Sequence, residues 1–488
     1  MFAATGSSST ASALHFRQWV GLGAGVLLCV VLLFMPPPAD MPLSAWRTAA
    51  VGILMAVWWM TEAIPISATA LLPLVLFPLL GIADIRAAAS PYANPLVFLF
   101  LGGFLIAAGM ERWNLHRRLA LRIIAMMGPR PYAILAGFMI AAAFLSMWVS
   151  NTATALMMLP IGLSVAELVR QTDSKEVEHF TIGLMLIIAY SCSIGGIATL
   201  VGTPPNAFFA GFMLETYNMS VGFVEWMQIG VPMALIALPL MYFVLTRGVY
   251  PVKIREIPGG AAFIHSELAA MGRMSRPEKM VMALFVTAAV LWMTRPLLTP
   301  VIPGLSDAGI AMGVGLLFFL LPVNVPKRVF LLEWNDAERL PWGLLILFGG
   351  GLSLAAAIND TGLAAWLGAQ AGLIEKWPVF LIILVIATTI IFLTELTSNI
   401  ATVAAFLPIV ASVGVGLGES PLVFTVPAVL AASCAFMLPV ATPPNAIVYS
   451  SEYVTIPRMA RAGILLNILF IFLVTLIGYA LVPLVNLG

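Results

Sequence analysis

The sequence predicts an all-α polytopic membrane protein, with about 11 transmembrane helices plus two re-entrant hairpins in an inverted-topology repeat. Three observations carry this. Hydrophobic residues make up 61% of the 488 residues and charged residues only 9%, against about 25% charged in ordinary soluble proteins. Charge-free runs long enough to span a bilayer recur at 132–166, 181–214, 340–359 and 462–488, where a β-barrel would show short alternating segments. Two short polar patterns also occur twice, in the same order, inside that apolar sequence.

The elements follow in chain order. Residues 1–18 are Ser/Thr/Ala-rich and are expected to form a disordered cytoplasmic N-terminus. A first span lies near 19–35 and ends in Pro36-Pro37-Pro38 with no Ala-x-Ala cleavage pattern. It therefore reads as an uncleaved helix, which with its loop occupies 19–47. Spans near 48–63, 66–82, 95–110, 132–147, 181–200 and 228–246 make a first repeat, 48–246. A basic segment at 247–279, containing Pro258-Gly259-Gly260, links it to a second repeat at 280–488. That repeat has spans near 280–295, 308–322, 341–358, 380–393, 422–440 and 462–485. The run 132–166 is too long for one span and slightly short for two. A helix followed by a re-entrant hairpin fits, with the hairpin at about 146–160. The run 380–415 has the same shape, with its hairpin at about 394–408.

Loop charges set orientation. Arg112, Arg117, Arg118, Arg122 and Arg130 fall in one loop, and Arg247, Lys253, Arg255, Arg273, Arg276 and Lys279 in another. Both are expected in the cytoplasm. Counting crossings back puts the N-terminus inside, and an odd number leaves Gly488 outside an inner (plasma) membrane. With one basic linker between halves of odd crossing number, the repeats are expected to be inverted.

The repeated patterns are specific. Ser146-Met-Trp-Val-Ser150-Asn151-Thr152 pairs with Thr394-Glu395-Leu-Thr397-Ser398-Asn399-Ile400. Gly202-Thr203-Pro204-Pro205-Asn206 pairs with Ala441-Thr442-Pro443-Pro444-Asn445. The Gly102-Gly103 and Gly349-Gly350 pairs precede them, and Ser191-Cys192 and Ser433-Cys434 lie between, in matching order. Polar groups and broken backbone at membrane depth are tolerated where they line a wet cavity, and in corresponding halves they point to a transport site. No Lys or Arg is close to either Ser-Asn motif in the sequence. An anion there must be held by hydroxyl and amide donors, helix N-termini and co-bound cations. Proline-broken helices free carbonyl oxygens that suit a hard cation such as Na⁺.

On these motifs, together with the stretch 102–115, the chain resembles the divalent anion:sodium symporter family, the sodium-coupled dicarboxylate and citrate cotransporters, over nearly its whole length. The resemblance implies a homodimer in the lipid bilayer, a scaffold domain and a mobile transport domain, and elevator-type alternating access. It implies substrate contacts at Ser150, Asn151, Thr152, Ser398 and Asn399, with Thr203, Pro204, Thr442 and Pro443 close by. One sodium site would use Ser146, Ser150, Asn151 and Gly202, the other Thr394, Thr397, Asn399 and Ala441. Ile400 stands where the family pattern has threonine. That removes a hydroxyl, adds bulk and bears on which anion is carried. The reading is sodium symport of C4 dicarboxylates such as succinate, fumarate and malate. Its rivals are citrate or sulfate symport, a sodium-independent dicarboxylate exchanger, or an antiporter.

Other classes fit poorly. A net charge of +1 argues neither for nor against nucleic acid as a partner, and the lack of basic tracts among aromatics sets it aside. There is neither His-Glu-x-x-His nor Gly-x-Ser-x-Gly, so no catalytic residues are assigned. Three scattered cysteines give neither a disulfide framework nor a metal spacing. Two intramembrane carboxylates stand out. Glu62 reads as an interfacial or pairing residue. Glu395 reads either as electrostatic support for Na⁺ or as a structural partner. Trp58-Trp59 reads as lipid-facing or interfacial.

Overall fold

The computed structural model describes residues 7–169, 175–254 and 256–485. Ten helices among them are long and apolar enough to cross a membrane, and five shorter apolar helices accompany them. The first half contains α1 (Ser7–Phe34), α2 (Leu43–Thr61), α3 (Pro95–Arg112), α4 (Leu115–Met127), α5 (Pro131–Ser146), α6 (Asn151–Val169), α7 (Lys175–Ile197), α8 (Pro204–Tyr217) and α9 (Phe223–Phe243). The second contains α10 (Arg276–Leu298), α11 (Asp307–Leu320), α12 (Trp342–Asp360), α13 (Leu363–Gln370), α14 (Val379–Thr394), α15 (Asn399–Gly416), α16 (Pro421–Ala432), α17 (Pro443–Tyr449) and α18 (Ile456–Ala480). Proline in the first turn opens α3, α5, α8, α16 and α17, where its missing N–H costs nothing and its fixed φ suits the helix.

Several boundaries differ from the sequence expectation. α1 begins at Ser7, inside the stretch expected to be disordered, while 1–6 lie outside the described residues. α4 and α8 occupy stretches read as loop and break. α4 is amphipathic and carries Arg117, Arg118 and Arg122, with Arg118 among its buried residues, so loop composition and helix periodicity coexist there. α16 stops at Ala432, because the chain from Ser433 to Thr442 is unwound. A two-stranded antiparallel hairpin, Pro322–Asn324 with Val329–Phe330, interrupts the otherwise helical architecture.

From α3 onward the halves repeat element for element: α3 to α9 correspond in order to α12 to α18. Each half sets a glycine-bearing helix tightly against its neighbour. A Cβ on Gly102 of α3 would lie 2.4 Å from the Ala311 backbone in α11, and one on Gly350 of α12 would lie 2.1 Å from the Ala70 carbonyl. Small residues let helices approach this closely, which is how apolar helices associate where water does not drive them together. The halves interlock: α7 and α6 pack on α17, α8 on α12 and α15, and α2 on α15. Cys29, Cys192 and Cys434 are buried, as expected of small apolar residues. Trp59 is also fully buried, with its indole N–H on the Ile66 carbonyl at 3.0 Å. The left-handed turn at Glu62 (φ 50°) folds the chain back over it, so it does not face lipid.

The segment between the halves is clamped, not loose. It contains a helix, Gly260–Ala270, whose Glu267 pairs with Arg117 at 2.7 Å. Buried Arg118 of α4 pairs with Glu278 at 2.7 Å and donates to the Gly272 and Met271 carbonyls at 2.8 and 3.0 Å. The two basic loops therefore lie on one side of the molecule.

Candidate functional site

Each Ser-Asn motif sits at the junction of two helices. α5 stops at Ser146 and α6 opens at Asn151; α14 stops at Thr394 and α15 opens at Asn399. Ser and Asn favour such openings because their short side chains reach free backbone groups. The Ser150 hydroxyl accepts from the Ala153 N–H at 3.2 Å, while Ser398, at the same place, makes no such capping bond. Behind each tip a hydroxyl holds the asparagine. Ser146 Oγ donates to Asn151 Oδ1, and Thr394 Oγ1 donates to Asn399 Oδ1 at 2.5 Å. Both hydroxyl residues are fully buried. These bonds orient each amide. The Thr397 hydroxyl turns away, donating to the Leu393 carbonyl at 2.9 Å and lying 2.6 Å from Thr402 Oγ1.

The Thr-Pro-Pro-Asn motifs close two helix breaks. α7 ends at Ile197 and α8 begins at Pro204; α16 ends at Ala432 and α17 begins at Pro443. Asn206 Nδ2 donates to the carbonyls of Gly196, Ile197 and Thr199 at 3.2, 3.2 and 2.8 Å. Asn445 Nδ2 donates to those of Ala435 and Leu438, both at 3.1 Å. The Oδ1 atoms of both asparagines are buried and accept no hydrogen bond among the described residues. Both asparagines stand in the motif without an assigned role in the sequence, where their matching position after each proline pair is the available signal. Gly202 and Gly196 press together, since a Cβ on Gly202 would lie 2.5 Å from the Gly196 oxygen. One on Gly196 would lie 2.8 Å from Asn151 Oδ1 and 3.0 Å from the Gly202 oxygen. Several neutral oxygens thus converge beside the first tip, a donor set suited to a hard monovalent cation.

A single cavity of about 1140 Å³ joins the four motifs. Ser150, Asn151, Thr152, Gly202, Thr203 and Pro204 line it from the first half. Thr397, Ser398, Asn399, Ile400, Ala441, Thr442 and Pro443 line it from the second. Every expected substrate contact is therefore on one wall or the other. Ser146 and Thr394 stand behind the tips and do not line the cavity. Ile400 is 4% exposed, so little beyond the face it turns to the cavity is accessible.

The two tips are backed differently. Trp148, in the first turn, stacks on Phe223 and Trp292 at 5.9 and 6.4 Å between ring centres and meets Phe285 edge-on at 5.2 Å. Behind the second tip, Glu395 is 3% exposed and accepts from the backbone N–H groups of Phe436, Met437 and Leu438 at 2.7, 2.9 and 3.0 Å. Asn467 Nδ2 of α18 donates to it at 2.7 Å. Glu395 therefore fixes the unwound segment before Ala441, which is a structural role. One expectation is corrected: a cation does stand beside a Ser-Asn motif. Arg17 of α1 donates to the Leu396 carbonyl at 3.3 Å, although 379 residues separate them. It also donates to the Thr61 carbonyl at 3.3 Å and lies 4.0 Å from Glu62, so Glu62 is a pairing residue.

A sequence profile of the sodium:sulfate symporter transmembrane region matches residues 16–487. The chain belongs to the sodium:sulfate symporter family. The repeated Ser-Asn and Thr-Pro motifs had pointed to these divalent-anion symporters, and membership places the chain among membrane transport proteins, not enzymes. It is 43% identical over 475 residues to the sodium-dependent dicarboxylate transporter SdcS of Staphylococcus saprophyticus, covering 96% of this chain and 92% of that one. It is 41% identical over 477 residues to SdcS of Staphylococcus aureus, with the same coverage. Two solved structures resemble its fold at 13% identity. MtrF of Neisseria gonorrhoeae gives a TM-score of 0.62 over 97% of this chain and 98% of that one. The YdaH transporter of Alcanivorax borkumensis gives 0.57 over 96% and 97%. At that identity the likeness concerns the fold alone.

Proposed function

We propose that this family member imports C4 dicarboxylates such as succinate, fumarate or malate by sodium symport. The observation that carries the reading is the meeting of both Ser-Asn tips and both Thr-Pro breaks around one cavity, with each tip asparagine oriented from behind by a hydroxyl. The identity to proteins named sodium-dependent dicarboxylate transporters supports the substrate class. One Na⁺ is assigned to Ser146, Ser150, Asn151 and Gly202, the other to Thr394, Thr397, Asn399 and Ala441. Sodium binds first, adds positive charge beside the helix openings of α6 and α15, and so creates the anion site. The substrate then lies between Ser150, Asn151 and Thr152 on one side and Ser398, Asn399 and Ile400 on the other, near Thr203, Pro204, Thr442 and Pro443. Alternating access proceeds as an elevator. The repeats 48–246 and 280–488 are inverted across the membrane, a scaffold carries a moving transport domain, and two protomers pair. The N-terminal side of α1 and the linker 247–279 face the cytoplasm and the end of α18 faces outward, Gly488 itself lying outside the described residues.

The test is uptake of radiolabelled succinate into proteoliposomes, with an inward Na⁺ gradient and with choline in its place. Uptake only with Na⁺ supports symport. Equal uptake in both, raised by preloaded dicarboxylate, replaces symport with exchange. One observation favours a second reading, citrate or sulfate as the carried anion: Ile400 presents an aliphatic face where a hydroxyl would otherwise meet the substrate. Ile400→Thr is expected to change the succinate-to-citrate ratio of kcat/KM by about tenfold or more, because a site hydroxyl discriminates through hydrogen bonding. An unchanged ratio removes this residue from selectivity.

A further inference from the structure

Arg17 is far from the cavity in sequence, yet its guanidinium stands at the cavity wall. Its Nε donates to the Thr61 carbonyl and its Nη1 to the Leu396 carbonyl, each at 3.3 Å. Thr61 is the last residue of α2, and Leu396 lies two residues beyond the end of α14. These are the carbonyl-rich ends of two helices from opposite halves, the places where a cation is favoured. The planar fork of arginine can serve both at once, and Glu62 at 4.0 Å supplies partial charge balance. α1 itself packs chiefly on α2. The Arg17–Leu396 bond therefore adds a polar tie between that helix pair and the second tip, beside the packing of α2 on α15. The tip does not stand alone, because Glu395 binds it to the unwound segment 436–438.

We propose that Arg17 is a latch, a positioning residue that holds the second tip and its attached break against the α1–α2 pair in the conformation seen here, and whose release accompanies their movement. The two carbonyls can part only if the guanidinium lets go of one. The side chain is 35% exposed, so water can replace either bond and the latch is weak enough to open during a transport cycle. The inference rests on the alternating-access reading above, but its test does not depend on measuring transport.

The experiment places spin labels on cysteines at Ala63, beside the end of α2, and Val440, on the break tied to the second tip. The three native cysteines are buried and remain in place. Distances are measured by double electron–electron resonance in lipid nanodiscs with Na⁺, for wild-type Arg17 and for R17A, R17M and R17K. In R17A the ratio of long to short distances is expected to rise about threefold, the size of effect a half-exposed ionic contact supplies. R17M, which keeps the packing stem, should match R17A and stands in for it if R17A does not fold. R17K, which keeps the charge without the fork, should fall between. Distributions unchanged in R17A or R17M overturn the latch. If they are unchanged and the KM for succinate rises most at low salt, Arg17 serves anion entry instead. Wild-type protein lacking sodium-dependent uptake would overturn the transport reading, while a shifted distance ratio would still stand as evidence for the latch.

Discussion

The amide of Asn399 is placed by one buried hydroxyl, so its function depends on a residue that does not itself line the cavity. Removing the amide and removing its holder should therefore differ in degree. Asn399→Ala and Asn151→Ala are each expected to abolish sodium-driven uptake, since each deletes a proposed ligand to both ion and anion. Thr394→Val keeps the amide but frees its orientation and removes one hydroxyl assigned to the second Na⁺. It should raise the sodium concentration for half-maximal uptake by about tenfold while leaving uptake at saturating sodium measurable. Sodium titration of uptake separates the two. Uptake persisting in both asparagine variants would remove the tips from the site. At this scale the sequence was highly legible. The tip residues are consecutive, polar and repeated in apolar surroundings, so local pattern alone singled them out. Arg17 was not legible, because nothing in its neighbourhood marks the contact with Leu396. Nor was the fixing of both helix breaks by Asn206 and Asn445, although the motif displayed the residues.

At the scale of elements, the two halves build the same helix–break–helix units but brace them with different forces. The first turn leans on a ring stack, where Phe223 and Trp292 lie 4.7 Å apart and nearly parallel. The second leans on one carboxylate gathering four N–H donors. Trp292→Ala should lower thermal stability by about 3 kcal/mol, the usual cost of emptying a buried tryptophan site, and leave the second tip intact. Glu395→Gln offers a single acceptor oxygen and turns an NH₂ toward N–H groups, leaving buried donors unpaired at a cost of about 1–3 kcal/mol each. It should weaken sodium dependence as well as stability, because the segment it holds leads directly to Ala441. Melting curves taken with and without Na⁺ measure both effects. If Glu395→Gln lost none of its sodium-induced stabilisation, the segment would not be coupled to the ion. Helix positions were broadly readable from hydropathy, whereas the ends of α1, α4, α8 and α16 were not. Hydropathy follows burial and membrane contact, while these ends are set by caps, amphipathic faces and side chains arriving from elsewhere.

At the scale of the whole molecule, the repeat order was legible because each half carries the same motifs in the same sequence. How the halves interlock was not, since it depends on close approaches such as Gly102 on Ala311 and Gly350 on Ala70. Those approaches have a consequence for the segment between the halves. Its far end is pinned by Arg118 and its helix by Arg117, both from the first half. The peptide bonds near Gly259 thus join pieces that other forces already hold in place. Co-expressed as two fragments, 1–258 and 259–488, the protein should reassemble. The fragments should co-purify through a tag on one of them and recover sodium-dependent uptake, and Arg118→Ala should diminish that recovery more than it harms the unbroken chain. In this molecule covalent continuity at the midpoint is a convenience of synthesis, and the register of the two halves is written in their surfaces.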